Sequence, residues 1–93
     1  MPLLFEWDPR KERANRRKHR VSFEEASTIF GDTLSITISD EEHSSEEERW
    51  ITVGRSNRGN LLVVVHTESR AAIRIISGRR ATRGERNQYE EGA

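Results

Sequence analysis

The stretch LLVVVHTESRAAIRIISG, residues 61–78, decides the fold. Leu61–Val65 is an unbroken apolar run, so both faces of the segment need cover, which predicts a central β-strand over 61–67. ESRA turns the chain, and AIRIISG (72–78) predicts a second strand paired to the first as a hairpin. Upstream, NRGN (57–60) is turn chemistry, and RWITVGRS (49–56) predicts another strand. LSITISD (34–40) alternates strictly, with Leu34, Ile36 and Ile38 expected inward and Ser35, Thr37 and Ser39 outward. Three short connections in succession imply an antiparallel meander.

Helices flank it. Asp8 suits an N-cap and Pro9 the first helical position, so a helix is predicted from Pro9 to about His19. Only Ala14 in it is clearly apolar, so much of its surface faces solvent or a ligand. SFEEASTIFG (22–31) opens with the capping-box pair Ser22 and Glu25, and Phe23, Ala26, Ile29 and Phe30 form one apolar stripe. LLFEW (3–7) reads as a short first strand. Thr82 and Glu85 form a second capping box for a last helix to about Glu91, weakened by Gly84 inside it. The fold class is α+β. One domain over 1–93 holds a small antiparallel sheet of about five strands, two helices in the N-terminal half and one at the C-terminus, all expected on one side.

Hydrophobic residues are 32% of the 93 and charged residues 34%, so the core is lean and a partner protein would add stability. Without cysteine there is neither a disulfide nor a thiolate metal site. The longest apolar run, Leu61–Val65, is too short to span a membrane, and MPLLFEW lacks the pattern of a signal peptide, so a cytoplasmic location is expected. Sixteen basic and sixteen acidic residues cancel, but they are segregated. RKERANRRKHR (10–20) holds seven Lys or Arg against Glu12, DEEHSSEEE (40–48) holds six acids, and 70–86 holds six arginines against Glu85. Such blocks point to a polyanion-binding face hidden under a zero total.

Chemistry is expected where the last strand hands over to the last helix. Arg74 projects from a strand, Arg79 and Arg80 are placed in the connection, and Arg83 and Arg86 fall in the first helical turn, where positive charge opposes the helix dipole. An anion at that spot removes the penalty, and guanidinium forks match phosphate. Local glutamates such as Glu85 are the plainer explanation. His66, across the hairpin from Arg74, is a candidate for proton transfer, its alternative being a strand-end histidine bonded to backbone. Arg16, Lys18 and His19 in NRRKHR line the same groove if the first helix lies over that sheet edge, and otherwise form a separate face. His43, in the acidic run, reads as part of a solvated loop rather than a metal site. Trp50 and Tyr89 can stack on bases or pack in the core. No phosphate loop, serine-nucleophile motif or carboxylate pair is present. The natural catalytic class is RNA cleavage by the neighbouring 2′-hydroxyl, with neither metal nor cofactor.

FEWD (5–8), Lys11, Asn15, KH (18–19), VSFEEA (21–26), RW (49–50), HT (66–67), RIIS (74–77), RRAT (79–82), and ER (85–86) with Tyr89 and Glu90 resemble the BrnT family over nearly the whole chain. The resemblance implies a ribonuclease toxin of a type II toxin–antitoxin pair with a RelE-like fold. It also implies an RNA substrate and a BrnA-like, DNA-binding antitoxin that carries the complex to operator DNA. By that analogy His66, Arg74, Arg79 and Arg80 are the catalytic candidates, and Arg83, Lys18, His19, Arg16 and Tyr89 the RNA-binding ones. Arg20 stands where the family often has Gly, and Gly78 where Ala is usual. Two other readings compete, a non-catalytic nucleic-acid-binding module and a protein-interaction module.

Overall fold

The computed structural model describes residues 4–43 and 47–92. The start of the first strand as read from sequence, at Leu3, lies outside them, as does the His43 side chain with the middle of the acidic run. The strands are β1 (Phe5–Glu6), β2 (Ile36–Ser39), β3 (Trp50–Arg55), β4 (Leu61–Glu68) and β5 (Ile73–Arg80). The helices are α1 (Pro9–His19), α2 (Phe23–Ser27) and α3 (Arg83–Gly92). A 3-10 turn, Thr28–Gly31, extends α2.

The sheet order is β1-β5-β4-β3-β2, with β4 in the centre as its apolar run predicts. β2 to β5 form the expected antiparallel meander. β1 departs from the expectation: it lies parallel to β5, with Phe5 opposite Ile73, so the sheet is mixed. The reason is connectivity, because α1 and α2 intervene between β1 and the meander and allow a crossover that a hairpin cannot make.

Register assigns the two faces. Leu62, Val64 and His66 on β4 share a face with Thr52 on β3 and with Ile75, Gly78 and Arg80 on β5. α1 and α2 cover this face, and Val21, Phe23, Ala26 and Ile29 pack on Leu62, Val64 and Ile75 as the main core. The other face carries Val63, Val65 and Thr67 with Arg74, Ser77 and Arg79, and with Ile36, Ile38, Ile51 and Val53. α3 lies on that second face, with Tyr89 beside Val53 and Gly92 close to Ile36. The helices therefore divide between the two faces instead of gathering on one. This also corrects the inward assignment of the β2 stripe. Ile36 and Ile38 do point away from Thr37, but onto the face that α3 covers only in part, and Leu34 and Ile38 are 52% and 57% exposed.

The caps follow the sequence with one exception. Asp8 accepts from the Arg10 N–H at 2.8 Å and Ser22 from the Glu25 N–H at 3.0 Å. Thr82 and Glu85 close a reciprocal capping box, the Thr82 N–H donating to Glu85 at 2.8 Å. Glu25 does not close its own box. Its carboxylate instead accepts from Ser56 at 2.7 Å and Asn60 at 2.8 Å, tying α2 to the β3–β4 turn. α1 ends with Arg20 in the left-handed region, φ 58°. That is a position where a glycine costs nothing and an arginine is strained.

Candidate functional site

The helix that is nearly all charge lies along the edge of β5 that β1 leaves open beyond Arg74. One buried side chain holds it there. Asn15 donates to the Val21 carbonyl at 2.9 Å and the Gly78 carbonyl at 2.8 Å, and accepts from the Gly78 N–H at 3.1 Å. A carboxamide offers both donor and acceptor, so it completes the strand's backbone pairing where no further strand is present. Gly78 also lets α2 pack close on the same strand, since a Cβ there meets the Ala26 Cβ at 3.2 Å.

With α1 fixed this way, Lys11, Lys18 and His19 stand over Ile76 and Ser77 of β5 across a shallow groove of about 240 Å³. The helix does lie over the sheet edge, so Lys18 and His19 border a groove there, but neither the late arginines nor His66 line it. Lys11 joins them because 11, 14, 15 and 18 fall on one helical face, a spacing legible in the sequence. Among the described residues no carboxylate lies within ion-pair distance of Lys11, Lys18 or His19. Arg74 lies on the same strand just before this groove, 3.6 Å from the exposed Glu6. Arg16 is elsewhere. It pairs with Glu12 at 3.0 Å and lines an outward patch with Arg13 and Arg17.

The late arginines do not converge on one point. Arg79 and Arg80 belong to β5 itself, not to a connection, and successive strand residues point to opposite faces. Arg79 shares a face with Arg74, while Arg80 is on the other, near Asn60 at 3.4 Å. Arg79 is already engaged: both its terminal nitrogens donate to Glu85 at 2.8 Å. The fork from Arg79, aided by the Thr82 N–H, holds the Glu85 carboxyl down at about 2. The anion that the charge pattern calls for at the strand-to-helix junction is therefore Glu85, and this pair fastens α3 to the sheet. Arg83 opens α3, exposed, and Arg86 lies 3.9 Å from Glu90.

Two expected contributors are interior. His66 is 0% exposed and lies on the face opposite Arg74. Its Nε2 bonds the Thr52 hydroxyl at 2.7 Å, which in turn bonds Thr37 at 2.8 Å, and its ring meets Phe30 edge-on at 4.9 Å. Burial lowers its pKa to about 4, so it is a neutral core histidine and cannot reach a phosphate in the groove. The register shift between the Val65 and His66 pairs leaves Ile76 unpaired on β5 and turns Arg74 to the opposite face from His66, which the turn length could not reveal. Tyr89 is 6% exposed, and its hydroxyl donates to Asp32 at 2.6 Å beneath the Arg55 guanidinium. It anchors α3 and offers no face to a base. Among the described residues no three His, Asp or Glu side chains group as metal ligands. No described helix is long and apolar enough to cross a membrane.

The α1–β5 groove is thus a cationic edge with a half-buried imidazole, groups whose chemistry suits holding a phosphodiester and moving a proton. Comparison with known proteins identifies the family. A family described as "Ribonuclease toxin, BrnT, of type II toxin-antitoxin system" matches residues 7–85. No curated protein sequence matches the chain. The crystal structure of the Brucella abortus ribonuclease toxin BrnT is similar at a TM-score of 0.66 and 19% identity, over 88% of this chain and 100% of that one. At that identity the likeness concerns the fold. The family match runs from ahead of α1 into the first turn of α3, so it takes in the whole groove. The chain therefore belongs to the BrnT family of ribonuclease toxins of type II toxin–antitoxin systems.

Proposed function

We propose that this protein cleaves single-stranded RNA at the groove between α1 and β5, by attack of the 2′-hydroxyl on the adjacent phosphorus and without a metal ion. The 2′-oxygen forms the new bond to phosphorus, the bond to the 5′-oxygen breaks, and the products are a cyclic phosphate and a 5′-hydroxyl end. The 2′-hydroxyl proton leaves to a base, and the departing 5′-oxygen gains one. Lys11, Lys18 and Arg74 hold the phosphate and offset the charge of the pentacovalent transition state. His19 takes the proton-transfer role first given to His66, because it is the imidazole that borders the groove. Arg79 acts as a positioning residue through Glu85, and Arg83 binds flanking phosphates. The neutralising partner is a BrnA-like, DNA-binding antitoxin that brings the complex to its operator. The cell's messenger RNA, met in the cytoplasm, is the substrate.

The observation that carries this reading is the set Lys11, Lys18 and His19 over the open edge of β5, held by Asn15. The test is incubation of the purified protein with single-stranded RNA in excess chelator, with analysis of the new ends. Wild type should yield cyclic phosphates. His19→Ala and Lys18→Ala, both surface changes on α1, should cut the rate by about 100-fold or more, within the range for a lost proton-transfer group. Wild-type rates in both variants refute the site. RNA retained on wild type with no new ends makes the protein a binding module instead.

A further inference from the structure

β2 is the outer strand on the side of the sheet away from the basic groove. Edge strands are usually guarded by lysine, proline or a bulge, yet LSITIS (34–39) contains no charge and no proline, and its pairing with β3 is regular. Among the described residues, two of the three exposed large hydrophobics, Leu34 and Ile38, are here. Between β2 and α3 runs a groove of about 540 Å³, floored by Ile36, Ile38, Val53 and Tyr89 and rimmed by Glu91, with Glu85 also at the rim but already paired to Arg79. The strand then passes into exposed Glu41 and Glu42, and exposed Glu47 and Glu48 precede β3.

We infer that this edge is the docking site of the antitoxin, which adds an extended segment along β2. That segment places alternate apolar side chains in the groove and lysines or arginines against the acidic rim. The charge decides the occupant. RNA is repelled by the rim. A second copy pairing edge to edge brings one acidic run toward Asp32 and Glu91 of the other, a like-charge meeting. A cationic protein segment satisfies both the apolar floor and the rim. The inference takes the partner's identity from the toxin–antitoxin reading. It makes that partner bind on the second face, apart from the α1–β5 edge.

The experiment is calorimetric titration of the purified antitoxin, encoded beside this protein's gene, into wild type, Ile38→Asp, Ile38→Thr and Leu4→Asp. Leu4 is the third exposed large hydrophobic among the described residues, 61% exposed, beside the opposite edge of the sheet. Ile38→Asp should weaken binding by about 30-fold or more, as for a central interface residue, and Leu4→Asp by less than about threefold. Ile38→Thr keeps strand propensity and should weaken binding several-fold, so the inference stays testable if Ile38→Asp unfolds. Unchanged affinity in both Ile38 variants, with wild type binding tightly, overturns the site alone. No binding by wild type overturns the partner reading and the site with it. A wild-type dimer that Ile38→Asp turns into a monomer overturns the inference in favour of a second copy.

Discussion

Replacing His66 by glutamine should remove a pH dependence that this side chain imposes on stability. The folded imidazole titrates at about 4 against an ordinary 6.5, because burial penalises its charged form. One effect opposes this, since the Glu68 carboxylate lies 3.7 Å from Nδ1 and favours the imidazolium. Glu68 is half exposed, so that attraction is screened to about 1 kcal/mol, and burial wins. The sign follows from linkage. The unfolded chain binds the proton more readily, so the stabilisation is complete above 6.5 and is lost as pH falls towards 4. Relative to pH 7 the loss reaches about 2 kcal/mol at pH 5 and about 3 kcal/mol at pH 4. Urea unfolding of wild type and His66→Gln, followed by tryptophan fluorescence at several pH values, reads this directly. The difference between the proteins cancels the carboxylates, including Glu85. The variant should start less stable at pH 7, having lost its contact with Phe30, and the gap should close by about 2 kcal/mol by pH 5. Parallel stability curves refute the reasoning, because they mean that His66 can take up a proton where it sits. A proton-transfer role would then be open to it again.

Three further outcomes are expected. Arg20→Gly should raise stability by about 1 kcal/mol, or roughly 4–8 °C in melting temperature, since it relieves a left-handed residue whose side chain is exposed; an unchanged or lower melting temperature contradicts this. Asn15→Asp should cost more than Asn15→Ala, and both at least about 3 kcal/mol by urea unfolding, because the carboxylate turns an acceptor toward two carbonyls that need a donor. Exchanging the partners, Arg79→Glu with Glu85→Arg, should recover the part of the lost stability that the ion pair supplies but not the part from the capping box, because an arginine at 85 cannot accept from the Thr82 N–H. Cleavage should recover with it if Arg79 only positions α3, and stay lost if its guanidinium contacts RNA.

Most of the architecture was legible because it rests on local signals. The apolar run at 61–65 placed β4 in the centre, Asp8-Pro9 and Ser22 started two helices, and Thr82 with Glu85 started the third. What stayed hidden depends on contacts remote in sequence. The parallel pairing of β1 is set by a crossover, and the face of Arg74 relative to His66 by a bulge in β5. The strict alternation at 34–39 was read correctly as a period, but a period does not say which face has a cover.

The arginines show the same limit in its sharpest form. A run of like charges at a strand-to-helix junction implies a compensating anion on electrostatic grounds, and the sequence offers two sources, a ligand phosphate or Glu85. Distance along the chain does not choose between them, but side-chain reach does. Glu85, in the first turn of α3, falls just past the end of β5, where a fork from Arg79 meets both oxygens. Once that pair forms, Arg79 has little charge left to offer, and Arg80 points to the other face. On α1, Lys18 and His19 have no carboxylate within ion-pair distance among the described residues, and the helix's near-lack of apolar residues needs its own explanation. A helix held to the sheet by one carboxamide, rather than by a hydrophobic stripe, keeps its charged surface free for a polyanion. Its lysines and His19 thereby become the groups to test first.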